Sequence, residues 1–126
     1  MIAHLTPGHT RGCTTWTLRA MEGDRGFDVM FACSLTVAGR RLVGEDRYSD
    51  AARDFQASFS RLRTLPVDVF LGFHDVHFDL VERRRRRLAG DALAFVDPAE
   101  ARRRIDAAEA AFTAEYERQR TGASPR

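Results

Sequence analysis

Glu22-Gly23-Asp24-Arg25 is the strongest constraint on how this chain folds, because it interrupts two runs of strand-forming residues with a tight turn. The flanking runs, residues 13–20 and 27–37, carry the Thr, Trp, Phe and Val that suit a pleated, half-buried surface. A hairpin about this turn sets residues opposite one another when their numbers sum to roughly 47. Cys13 then faces Ser34 or Cys33. These are the chain's two cysteines, and the spacing allows either a disulfide or a pair of buried thiols.

Beyond the hairpin the pattern changes period. Residues 39–46 read as a polar loop, and residues 48–65 as a helix in which Ala51, Phe55, Phe59, Leu62 and Leu65 recur at three- and four-residue spacing. Pro66 ends it. Residues 67–72 then form a short apolar run typical of a buried strand, with His74 just past its end. Residues 79–89 read as a second helix, stopped by Gly90. Its run Arg83 through Arg87 covers every helix face without interleaved aromatics, which predicts a solvated surface and not a nucleic-acid site. Asp97, Pro98 and Glu100 form the signature of a helix start with a capping box. Ala101, Ile105, Ala108, Phe112, Tyr116 and Gln119 trace the face of that last helix. Residues 121–126 are expected to be a flexible tail, leaving 1–120 as the folded part.

Composition excludes several classes. The 126 residues make one small domain, and the net charge of +2 implies no general attraction to polyanions. All 20 basic residues are Arg. No apolar run reaches the length of a membrane span. Residues 1–5 are too short for the apolar core of a signal peptide, so none is expected in this chain.

The run His4-Leu5-Thr6-Pro7-Gly8-His9-Thr10-Arg11-Gly12-Cys13-Thr14-Thr15-Trp16 carries the chemistry. Pro7 and Gly8 make a tight turn directly before an imidazole, on a connection between two strands, which is how a scaffold aims a metal ligand. This run closely resembles the histidine-donating segment of metallo-β-lactamases, particularly their third subclass. The resemblance continues at Ser34-Leu35-Thr36, at Leu65 through Leu80 with Gly72-Phe73-His74, and at Phe95-Val96-Asp97-Pro98 before the last helix. It implies an α/β fold: the C-terminal half of an αββα sandwich, one mixed sheet with helices on its outer face.

For chemistry, the resemblance implies a zinc hydrolase that opens the β-lactam amide, an antibiotic-resistance activity of the periplasm or secreted space. His9 and His74 would each serve one of two zinc ions, and Ser34 would contact the substrate or a metal-bound water. Zinc in such sites lowers the pKa of bound water toward 7 and polarises the carbonyl. Cys33, adjacent to Ser34 on an alternating strand, would face away from the metals. His77 lies three residues after His74, a spacing that can chelate on a helix or tight loop, but it matches a position that is not a family ligand; His4, within a strand, reads as structural. The family's His-x-His-x-Asp-His motif, source of four of six ligands, does not occur in this sequence. A catalytic zinc takes three protein ligands, so the chain alone is expected to lack a working centre. It would need a missing N-terminal half, or would self-associate. Two other readings stand beside this one: a related hydrolase acting on a thioester, lactone or phosphodiester, and a non-enzymatic half-domain that binds a partner.

Overall fold

The hairpin forms with the register that its turn predicts. Strands β2 (Thr14–Glu22) and β3 (Arg25–Phe31) pair antiparallel from Glu22↔Arg25 to Trp16↔Phe31. Gly23, at φ 59°, takes the first central position of the two-residue turn, where a left-handed backbone matches the twist of the strands. In this computed structural model residues 1–44 and 47–122 are described. The end of the loop predicted at 39–46 and the last four residues of the predicted tail lie outside the described residues.

Strand β1 (Ile2–Leu5) joins β2 antiparallel, and β4 (Val69–Leu71) joins β3 parallel, giving the mixed order β1-β2-β3-β4. Parallel neighbours need a crossover, which helix α1 (Ala51–Leu62) supplies. A 3-10 turn (Asp75–His77), helix α2 (Leu80–Leu88) and helix α3 (Glu100–Thr121) follow. Alternation along the strands sends Met30 and Phe70 to one face, where they meet α1 and α3. Phe55, Phe59 and Phe112 form the centre of that core, with ring centroids 5.3–5.9 Å apart. Each buried phenyl contributes about 2–3 kcal/mol through the apolar area it removes from water.

Several boundaries differ from the sequence reading. The strand expected to run to residue 37 stops at Phe31. The Cys33 N–H donates to the Thr15 hydroxyl at 3.2 Å in place of a backbone ladder partner, and Ala32 still reaches the Leu71 carbonyl. Helix α1 begins at Ala51, not 48, because Tyr48 turns its buried ring inward and its hydroxyl donates to Asp54 at 2.6 Å. The predicted capping box at α3 does not form. Glu100 is 2% exposed and pairs with Arg83 and Arg104, while the Asp97 carboxylate accepts the Ala99 N–H at 3.0 Å. Thr121, assigned to the tail, is helical, and Gly122 at φ 67° ends α3.

Cys13 and Cys33 form a disulfide, with Cα atoms 5.8 Å apart, tying the start of β2 to the segment after β3. A bridge closing a loop of this size stabilises a chain by about 3 kcal/mol, chiefly by restricting the unfolded state. Reduction is therefore expected to lower the urea midpoint by the equivalent amount, and a midpoint insensitive to reductant would contradict this.

The sheet's second face is only partly covered. Ala92, Phe95 and Val96 share a small cleft with Phe27, Val29 and Val69 at its far end. Toward the opposite rim Leu5, Trp16 and Phe31 remain 61%, 43% and 42% exposed. The helices thus lie against one face, as the half-sandwich expectation requires, and a strip of the other face lies bare.

Candidate metal and substrate site at the sheet rim

Strand pairing brings three chain segments to one rim. Leu5 pairs with Thr14, Trp16 with Phe31, and Phe31 with Leu71, so the ends of β1, β3 and β4 and the start of β2 lie side by side. His9 lies between β1 and β2, Ser34 follows β3, and His74 follows β4. The topology thus delivers all three predicted site residues to the same edge.

The His9 turn is held against α1. Gly8, at φ 141°, packs so tightly that a Cβ there would lie 2.7 Å from the Phe55 ring. The Ser58 hydroxyl donates to the Pro7 carbonyl at 2.7 Å, and Arg40 donates to the His9 carbonyl at 2.5 Å. Gly8→Ala is accordingly expected to cost about 1–3 kcal/mol through a strained backbone and a displaced phenyl. It should also shift the His9 ring resonances by NMR; an unchanged melting temperature and unchanged resonances would show that the turn tolerates a side chain.

The His9 ring is oriented by a residue that sequence reasoning did not single out. Its Nδ1 lies 2.7 Å from the Thr36 carbonyl, which can only accept, so Nδ1 carries the proton and Nε2 keeps its lone pair. A backbone carbonyl on one imidazole nitrogen is a usual way to prepare the other as a metal ligand. The Thr36 hydroxyl lies 3.0 Å from Ser34 Oγ, linking His9 to Ser34 through one residue. The available signal was the Ser-x-Thr spacing, which sets two hydroxyls on one side of an extended segment.

His74 is exposed and starts the 3-10 turn. Its ring meets Phe73 at 4.9 Å and His77 at 5.2 Å between centroids. No hydrogen bond or ring contact among the described residues joins it to His9 or Ser34. A cleft of about 690 Å³ opens between residues 32–39, the 3-10 turn and α3, lined by Ser34, Thr36, Phe70, His77 and Arg104 among others. It offers an apolar floor with a polar margin for a small molecule.

The remaining candidates resolve into structure. Cys33 is in a disulfide and offers no thiolate. His4 is buried, and Arg61 can only donate, so Nδ1 accepts from it at 3.3 Å while Nε2–H donates to Thr17 at 2.7 Å. That imidazole is fully engaged between β2 and α1. Beside the site, the guanidiniums of Arg11 and Arg40 lie 5.1 and 5.3 Å from the centre of the Tyr48 ring. Burial, followed by the neighbouring Asp54 carboxylate, pushes the Tyr48 hydroxyl up to about 12, so it remains a neutral donor at physiological pH. Of the Arg83 to Arg87 run, Arg83 pairs with Glu100, Arg85 with Glu82, Arg86 with Asp91 and Arg87 with Glu22. Among the described residues no three His, Cys, Asp or Glu side chains converge as a metal-binding group.

No family model matches the chain. Solved structures do. BJP-1, a subclass B3 metallo-β-lactamase of Bradyrhizobium japonicum, superposes with a TM-score of 0.89 at 31% identity over 97% of this chain and 46% of its own. The native FEZ-1 metallo-β-lactamase of Legionella gormanii gives 0.90 at 36% identity over 94% and 46%. A metallo-β-lactamase of Cronobacter sakazakii gives 0.87 at 33% identity over 94% and 44%. The chain thus spans a little under half the length of the enzymes it resembles. With four mixed strands and three helices superposing on theirs, it belongs to the subclass B3 metallo-β-lactamases and corresponds to the C-terminal half of their fold.

Proposed function

We propose that this chain supplies one side of the centre of a zinc-dependent β-lactam hydrolase. In that reading His9 and His74 each give one ligand to one of two zinc ions, and Ser34, a buried residue lining the cleft, contacts the β-lactam substrate. The observation that carries the reading is the His9 ring itself. Its Nδ1–H is fixed on the Thr36 carbonyl, its Nε2 lone pair is left for a metal, and Ser34 stands one hydrogen-bonded residue away.

The donor set here does not fit a zinc ion on its own. A catalytic zinc takes three protein ligands, whereas the described residues bring no such group together. The other ligands must come from outside these 126 residues, and an N-terminal half is the partner this reading requires. The periplasm or the secreted space is the matching compartment, and the Cys13–Cys33 disulfide suits an oxidising one. No helix among the described residues is long and apolar enough to cross a membrane.

Hydrolysis of a chromogenic cephalosporin tests this directly. The purified chain with added zinc is expected to match a His9→Ala control. Mixed with the N-terminal half of a subclass B3 enzyme, it should gain turnover that disappears with either His9→Ala or His74→Ala. Zinc-dependent turnover by the chain alone would overturn the shared centre, and a reconstituted enzyme indifferent to both substitutions would overturn the ligand assignment.

A further inference from the structure

We infer that His74 and His77 form a two-imidazole chelate for a borderline divalent transition-metal ion, independent of His9 and of any other chain. The 3-10 turn that joins them is closed by the His77 N–H donating to the His74 carbonyl at 2.9 Å. That hydrogen bond sets residues 74 and 77 at the two ends of one tight turn, His74 as its extended N-cap. Their ring centroids lie 5.2 Å apart with planes at 79°. With metal–nitrogen bonds of about 2.0–2.1 Å, two imidazoles on one ion hold their centroids about 4.5–5.2 Å apart. The observed separation falls at the upper end of that span, and side-chain rotation would aim one nitrogen of each ring at the ion.

Three further features favour the pair. Neither ring makes a hydrogen bond among the described residues, so each keeps a nitrogen for a metal. Gly72 lies so close that a Cβ there would sit 2.6 Å from the His77 Cβ, so a glycine is what lets the turn fold back on itself. Buried Phe78 anchors the end of the turn, and Phe73 packs edge-on against His74. Two imidazoles suit copper, nickel or zinc, with water completing the coordination. The inference goes beyond the shared zinc centre, because it gives His77 a ligand role and requires neither His9 nor an N-terminal half.

Copper(II) is the probe. Titrated into the 126-residue chain, it should bind at one site per chain and show superhyperfine coupling to two imidazole nitrogens by electron paramagnetic resonance. Removing one of two tethered donors lowers affinity by about 10²-fold, so His74→Ala and His77→Ala should each do so, with circular dichroism confirming that the fold is kept. Gly72→Ala, which retains both imidazoles but forces His77 away, should weaken binding similarly. His9→Ala should leave it unchanged. A one-nitrogen spectrum of the unsubstituted chain would overturn the chelate without reference to any variant. So would copper affinity unaffected by His77→Ala. Equal losses with His9→Ala and His74→Ala, but none with His77→Ala, would instead place the ion in the centre proposed above.

Discussion

Purified on its own, the 126-residue chain is expected to self-associate through the bare strip of its sheet, and co-expression with a matching N-terminal half should restore a soluble, discrete species. Leu5, Trp16 and Phe31 lie on one face, since Trp16 pairs with Phe31 and alternation keeps Leu5 in phase with Ala3, the partner of Trp16. Contiguous apolar patches beyond a few hundred Å² are uncommon on soluble monomers. Burying three such side chains contributes on the order of 5 kcal/mol per copy before the cost of association, so self-association is expected to grow with concentration. Sedimentation velocity and hydrophobic-dye fluorescence read the outcome. A monomer at high concentration, with cooperative unfolding and no dye binding, would show that the strip needs no cover. It would also remove the structural argument for a second half.

Glu100→Ala should be the most damaging single charge removal. Glu100 is nearly inaccessible, and its partner Arg83, 11% exposed, also donates to the Phe95 carbonyl. Truncating the carboxylate leaves a buried guanidinium uncompensated and unties α2 from α3, a loss of about 3–5 kcal/mol. Arg104→Ala, at the more exposed side of the same carboxylate, should cost only about 1 kcal/mol. Chemical denaturation of the two variants measures the contrast. Equal effects would mean that burial does not set the worth of the pair. A double replacement, Arg83→Met with Glu100→Leu, should recover much of the loss, because apolar side chains of similar volume avoid the desolvation that the ions bear.

Local chemistry made the skeleton of the fold legible. The hairpin register follows from one turn and a period of two to within a residue or two, and the observed pair Trp16↔Phe31 fits the sum of roughly 47 that the turn implies. The faces of α1 and α3 follow from a period of 3.6, and their predicted residues Phe55, Phe59, Ile105 and Phe112 are buried. His9 was legible because Pro7 and Gly8 act on adjacent bonds, and because the run around them resembles a known motif.

What the sequence determined by itself was therefore whatever neighbours in the chain enforce on one another: the turns, the strand and helix periods, and the order of segments that reaches the rim. Tertiary structure decided the choices between competing partners. Glu100 could have capped its own helix, but Arg83, seventeen residues away, took the carboxylate into the interior. β3 could have continued, but the Thr15 hydroxyl and the bridge to Cys13 drew Cys33 off the ladder. The proton on His9 was settled by the carbonyl of Thr36, twenty-seven residues on. Periodicity cannot rank such options, because a hydrogen bond or ion pair depends on distance in space and on how much water the fold leaves around it.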